Sequence, residues 1–184
     1  MIDVAYHDAF RVIAHAEGHL PRLRNTRLIL IDGPAGSGKS TLASALVTRR
    51  PDAAVVNLDD LYPGWAGLPA VYHLLPQLLL PMAAGQPGHY RHYDWYAGKA
   101  THSVVVPPRR LLVVEGCGAG LGRLAALTTT LVWVEAPRSV RWERGRVRAG
   151  SENVENWRRW SIQEDVIHVR ERTRARADLI VTNR

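Results

Sequence analysis

Along the chain, short continuous apolar runs alternate with longer stretches that carry one apolar and one polar face. Runs at 28–32, 53–58, 111–115, 130–135 and 178–182 are rich in Leu, Ile and Val and are bounded by glycine or polar residues. Apolar runs of that length predict strands, those at 28–32 and 111–115 being buried. Helical periodicity predicts helices over 4–17, 39–49, 69–84, 138–148 and, behind a Ser151 cap, 151–173. Gly18 with Pro21, Pro51 and Gly150 supply stops, and Pro76 and Pro81 predict bends within the third helix. Strand and helix in alternation predict a three-layer α/β fold with a mainly parallel five-stranded sheet. Two segments fit neither pattern. The stretch 61–68 reads as a loop around Pro63, Gly64 and Gly67, and 85–110 opens on the polar-aromatic cluster from His89 to Tyr96. Both read as substrate-side elaborations of one domain spanning 1–184.

The junction between the first strand and the second helix carries the most specific chemistry. Gly33-Pro34-Ala35-Gly36-Ser37-Gly38-Lys39-Ser40 completes the Walker A pattern, with Thr41 continuing into the helix. Its glycines let the backbone wrap a phosphate and aim N–H groups inward, and the helix N-terminus adds a field favourable to anions. Lys39 then reaches the β- and γ-phosphates, and the Ser40 hydroxyl serves a Mg²⁺ ion. The alternative is a glycine-rich turn that matches by chance; the preceding strand and the following helix argue against it. The expected architecture is therefore a P-loop NTPase fold with ATP and Mg²⁺ as ligands.

Acids at strand ends are the next candidates, because ligands of open α/β sheets gather at the carboxyl edge. Asp59 ends the second strand, where a carboxylate could align an acceptor hydroxyl or bind magnesium through water, and Asp60 could cap the turn. Glu115 closes the most apolar strand as a magnesium-side or substrate-side acid, and Asp32 could orient the phosphate loop. A solvated turn and a solvent-facing strand end are the competing explanations. Arg141, Arg144 and Arg148 fall on one helical face, which fits a basic lid over about 138–160, with Arg144 the first choice to close over ATP.

Composition narrows the partners. A formal net charge of +7 could attract nucleic acid, but the arginines concentrate in the lid and the C-terminal stretch, so a small-molecule acceptor is favoured. Of the 6 tryptophans, Trp133 reads as core and Trp142, Trp157 and Trp160 as packing between helices. Trp65 and Trp95 lie near the proposed ligand loops, and Trp95 or Tyr93 could stack on a planar base. Cys117 is the only cysteine, which excludes an intramolecular disulfide. No secretory segment and no membrane-spanning run is evident, so a cytoplasmic protein is expected, and a homo-oligomer is compatible with the sequence.

Together these residues resemble the uridine kinase-like branch of P-loop nucleoside and nucleotide kinases, with its phosphoribulokinase and pantothenate kinase relatives. The resemblance runs from Leu28 to Thr182 and rests on the phosphate loop, Asp59-Asp60-Leu61-Tyr62, Tyr93-Asp94-Trp95, Glu115-Gly116, the basic lid and Ala177 to Val181. It implies that Asp59 orients the acceptor hydroxyl and that Tyr62, Tyr93, Asp94, Trp95 and Glu115 line the acceptor pocket, with Arg91 nearby. It also implies ATP-dependent phosphoryl transfer to a small-molecule hydroxyl, a nucleoside being the leading acceptor. Leu61 and Trp95 depart from the family's aromatic choices, and Gly145 follows Arg144 where that family carries an arginine pair. A nucleoside monophosphate kinase is the nearest alternative and would need a second anion site, for which Arg91 and Arg109 are candidates. A regulatory ATP-binding protein or a nucleic-acid-associated ATPase is the alternative from another class.

Overall fold

In the computed structural model, residues 2–150 and 153–184 are described. The expected Ser151 cap lies outside them. Five strands, β1 (Arg27–Asp32), β2 (Ala54–Asn57), β5 (Leu111–Glu115), β6 (Thr130–Glu135) and β7 (Leu179–Thr182), form one sheet in the order β2-β5-β1-β6-β7. Each neighbouring pair is parallel. Both faces are covered, as a parallel sheet requires.

The continuous apolar runs resolve into two interleaved sets. Leu28, Leu30, Val56, Leu112, Val114 and Leu131 point into one core, with α3 (Val71–Ala83) and α5 (Val154–Glu171). Ile29, Ile31, Leu111, Val113, Val132, Val134 and Val181 point into the other, with α1 (Ile2–Glu17) and α2 (Lys39–Arg49). Successive strand side chains alternate faces, so a run apolar at every position feeds two cores at once. Each fully buried Leu, Ile or Val contributes roughly 1.5–3 kcal/mol relative to exposure.

The segment read as elaboration contains regular structure. Strands β3 (Gly88–Asp94) and β4 (Lys99–Val106) pair antiparallel, with a register irregularity between Arg91 and Tyr93. Six of the eight β4 positions are exposed, Val105 among them, so its apolar residues follow no burial period that would reveal the hairpin. Pro76 and Pro81 both lie inside α3 and do not end it. The loop at 61–68 is less exposed than its glycines suggest, since Leu61, Tyr62 and Leu68 are buried in the first core. The lid helix α4 (Arg138–Ala149) precedes α5, and the short α6 (Thr173–Arg176) leads into β7.

Candidate active site

Three strand ends deliver the candidate residues to the carboxyl edge. The phosphate loop leaves β1, a single 3-10 turn (Leu58–Asp60) leaves β2, and Glu115 closes β5. In register, Glu115 pairs with Ile31 on one side and Asn57 on the other, so it stands between the phosphate loop and Asp59. The Asn57 side chain accepts the Asp59 backbone N–H at 2.9 Å, which fixes the turn that carries this acid. A pocket of about 490 Å³ opens here, within the range of small-molecule sites. Its walls include Lys39, Ser40, Thr41, Asp59, Asp60 and Glu115 together with Ala35, Gly36 and Gly38.

The phosphate loop is held from several directions. Asp32, fully buried, accepts N–H groups from Gly33 at 2.7 Å, Gly118 at 2.7 Å and Gly120 at 2.9 Å. Burial alone would raise its pKa, but His168 and the amides of Gly120 and Gly33 outweigh burial and hold the carboxyl below its ordinary value. Glu164 on α5 accepts at one oxygen the Ala35 N–H at 2.7 Å, the Cys117 thiol at 2.9 Å and the Trp160 indole N–H at 2.8 Å. Asn183 Nδ2 donates to the Ser37 carbonyl at 2.7 Å. Gly36, with φ 77°, comes so close to the lid that a Cβ there would lie 2.7 Å from the Arg141 carbonyl oxygen.

Lys39 and Ser40 hydrogen-bond to the loop carbonyls and to Glu115, respectively. Lys39 Nζ donates to the carbonyls of Gly33 at 2.8 Å and Pro34 at 3.0 Å, and lies 3.4 Å from Cys117 Sγ. Burial opposes its charge, but the groups facing it, the Glu164, Glu115 and Asp59 carboxylates among them, keep its pKa above the usual lysine value. Ser40 Oγ donates to Glu115 Oε1 at 2.8 Å. Burial raises the Glu115 pKa, and Lys39 and Ser40 offset only part of that rise. Burial also pushes the Cys117 thiol well up, with Glu164 adding to it, so the sulfur is a neutral donor.

Among the described residues, no group of three or more His, Cys, Asp or Glu could hold a metal ion alone. Magnesium takes one or two protein groups and completes its shell with phosphate oxygens and water. Ser40 and Glu115 in hydrogen-bond contact, with Asp59 on the same pocket wall, are the residues that could serve it.

The aromatic segment divides. Trp95 lines the pocket, and its indole N–H donates to the Asp59 carbonyl at 2.8 Å. Asp94 instead accepts the N–H groups of Tyr96 and Ala97 at 2.8 and 2.9 Å and shapes the hairpin turn. Tyr93 supports the Trp95 ring edge-on at 5.4 Å. Tyr62 is fully buried beneath the pocket, its hydroxyl donating to the Cys117 carbonyl at 2.5 Å. Arg91 is turned to the Thr101 carbonyl at 2.8 Å, and neither it nor Arg109 lines the pocket.

The lid arginines also separate. Arg144 donates to the carbonyls of Gly36 at 3.1 Å and Arg184 at 3.3 Å, and Arg141 donates to the Ala136 carbonyl at 3.2 Å, so both brace the lid and the outside of the loop. Arg148 is the lid arginine that lines the pocket, its guanidinium 5.8 Å from the Trp157 ring centroid. Gly145 explains the interruption in the arginine series: a Cβ there would lie 2.5 Å from the Trp157 ring, so only glycine lets α4 close on α5.

Sequence reasoning underweighted Asp32 and left out Glu164, Cys117 and the pocket-lining roles of Trp157 and Trp160. For Glu164 a signal existed. Trp157, Trp160, Glu164 and Ile167 follow helical spacing and are all buried, so an acid occupies an apolar stripe. An acid in such a place needs partners, and the phosphate loop supplies one.

The chain matches no protein-family model and no curated protein sequence. Its three-dimensional structure is similar to several solved ones. A possible uridine kinase from Bacillus stearothermophilus is 19% identical with a TM-score of 0.65, the match covering 85% of this chain and 88% of that one. A candidate fructose transport system kinase from Silicibacter sp. TM1040 is 21% identical with a TM-score of 0.61, covering 94% and 97% respectively. D-glycerate 3-kinase from Cryptococcus neoformans var. grubii is 16% identical with a TM-score of 0.50, covering 89% and 87%. The likeness establishes the three-layer α/β architecture of P-loop kinase structures for this chain. No helix among the described residues is long and apolar enough to cross a membrane.

Proposed function

We propose that the chain is an ATP-dependent kinase that transfers the γ-phosphoryl group to a hydroxyl of a small metabolite, with a nucleoside as the leading acceptor. One observation carries the reading: the phosphate loop, with Lys39 and Ser40, opens into the same pocket as Asp59 and Glu115. Binding a magnesium nucleotide would use Lys39, Ser40 and Glu115, which leaves Asp59 as the further acid. An acid facing the same space is what phosphoryl transfer to an acceptor adds.

In this reading the loop amides and Lys39 bind the phosphates, Lys39 exchanging its contacts with the Gly33 and Pro34 carbonyls for phosphate oxygens. Ser40 and Glu115 hold the magnesium side, with Asp59 beside them. When bound, Mg²⁺ would supply neutralisation of the phosphates' negative charge. Asp59 accepts the hydrogen bond of the acceptor hydroxyl and aims its oxygen, taking the proton as the bond to phosphorus forms. Arg148 approaches from the lid, while Arg141 and Arg144 steady the loop around Gly36. Closure of α4 against Trp157 keeps water from competing with the acceptor.

The monophosphate kinase alternative has less support, because the arginines it would need, Arg91 and Arg109, do not line the pocket. The test is an ATP-consumption screen over nucleosides, nucleotides, sugars and pantothenate-like alcohols, with product mass measured. A product heavier by one phosphoryl group is expected for one acceptor class. Intact ATP binding with no phosphorylated acceptor across the panel would sink the kinase reading.

A further inference from the structure

The part of the pocket away from the phosphate loop has an unusual chemical balance. Its walls are Trp65, Trp95 and Trp160, and Asp59 and Asp60 provide the carboxylates. The rings stand steeply to one another: 71° between Trp65 and Trp95, 88° between Trp65 and Trp160, and 65° between Trp95 and Trp160. Their centroids are 5.4, 6.3 and 6.4 Å apart, so they form a corner and not a flat platform. A planar base stacked on one ring would meet the others edge-on. A compact rounded group can touch several faces.

Charge points the same way. The pocket's lysine and arginine are Lys39, bonded to the phosphate loop, and Arg148, on the lid over Trp157. Neither makes an ion pair with Asp59 or Asp60 among the described residues. His92 Nδ1 lies 3.8 Å from Asp60 Oδ1, beyond hydrogen-bond reach. An anionic group at this end would meet two carboxylates, Asp60 with the His92 imidazole beside it and Asp59 with Lys39 on its phosphate side. Indole faces beside carboxylates attract an ammonium group by both its charge and the ring quadrupole.

We propose that the acceptor is a hydroxyl compound bearing a protonated amine or ammonium group and no anionic group. Asp60 and the corner of Trp65, Trp95 and Trp160 hold its positive end while its hydroxyl is presented to Asp59. This rests on the kinase reading and narrows its acceptor. The shared chemistry is an amino alcohol, whose source is either a simple aliphatic compound or an amine-bearing nucleoside.

Intrinsic tryptophan fluorescence of the full chain, saturated with Mg²⁺ and a non-hydrolysable ATP analogue, tests the proposal without turnover. One probe set is choline, its uncharged isostere 3,3-dimethylbutan-1-ol, and 3-hydroxypropanoate. The other is 3′-amino-3′-deoxythymidine, thymidine and thymidine 3′-monophosphate. In at least one set the cation is expected to bind about 10-fold or more tightly than its neutral partner and the anion most weakly, as charge and ring attraction together require. The set that shows this identifies the source. Asp60→Asn should reduce the preference to about 3-fold or less, and Trp65→Ala should weaken the cation more than the neutral probe. Thermal melts of both variants check that they are folded. Binding of an anion as tight as the cation, a preference unchanged in Asp60→Asn, or binding of no probe would overturn the proposal. Failure of the kinase reading is read separately, as absence of phosphorylated product in the acceptor screen.

Discussion

At the phosphate end of the pocket, the loop backbone is tied by Asp32, Glu164 and Asn183, each reaching it from a different part of the chain. At the end proposed for the acceptor, Trp95 is 39% exposed, strand β4 of the hairpin is largely solvent-facing, and Asp60 has the His92 imidazole beside it at 3.8 Å. On the proposed function, the difference follows from what each end would do. A phosphate cradle gains from donors fixed before the ligand arrives, because no reorganisation is then needed at the moment of reaction. An acceptor site has to admit and release different molecules, so aromatic contact and a few carboxylates serve it better than a closed hydrogen-bond network.

The comparison breaks most sharply at Lys39. Lys39→Ala should lower phosphoryl transfer by about 1,000-fold while the fold persists, since one positioned charge at the transferring group is lost. Steady-state turnover paired with circular dichroism checks this. At the other end, Asp59→Asn should lower kcat by about 100-fold or more with nucleotide affinity retained. An unchanged kcat there would remove Asp59 from the chemistry.

Asp32→Asn should cost stability before it costs chemistry, about 2–4 kcal/mol by chemical denaturation, because an amide cannot accept at both of its heavy atoms. The pH dependence has a definite sign. The folded Asp32 pKa is held below its unfolded value, so its contribution is present above the unfolded pKa and is lost as pH falls through the folded one. The variant should lack that share of acid destabilisation.

Glu115 is shifted the other way. Burial keeps it protonated to higher pH than an ordinary carboxyl, so activity that needs its carboxylate should fall as pH drops through this raised value. A pH profile of kcat/KM reads the acid limb, which should change in Glu115→Gln. The smallest expected effect separates the lid arginines: Arg148→Ala should lower kcat by about 10-fold or more, and Arg144→Ala should act mainly on nucleotide KM. Equal effects on kcat would erase the distinction between the arginine that lines the pocket and the one that braces its loop.

How much of this was legible in the sequence varies by residue. Lys39 and Ser40 were readable because the motif is contiguous, and its geometry is set by its own glycines and the helix that follows. Asp59 and Glu115 were readable as strand ends on the ligand edge. Glu164 was not read, because its partners Ala35 and Cys117 are 129 and 47 positions away along the chain. Arg148 could not be separated from Arg141 and Arg144, because helical spacing gives a shared face but not which member meets a pocket.

By itself, the sequence determined the phosphate loop, the five strands, the helices that cover them and therefore the layered fold, in which β2 and β7 are edge strands that bury one position each. Local spacing and burial are enough for these, since each depends on residues close together in the chain or on a periodicity. Tertiary structure alone decided that Tyr62 lies beneath the pocket while Trp157 and Trp160 line it, that Gly145 admits the Trp157 ring, and that the His92 imidazole stands beside Asp60. Those outcomes depend on which distant segments meet at the sheet edge. Only packing of the whole chain brings them together.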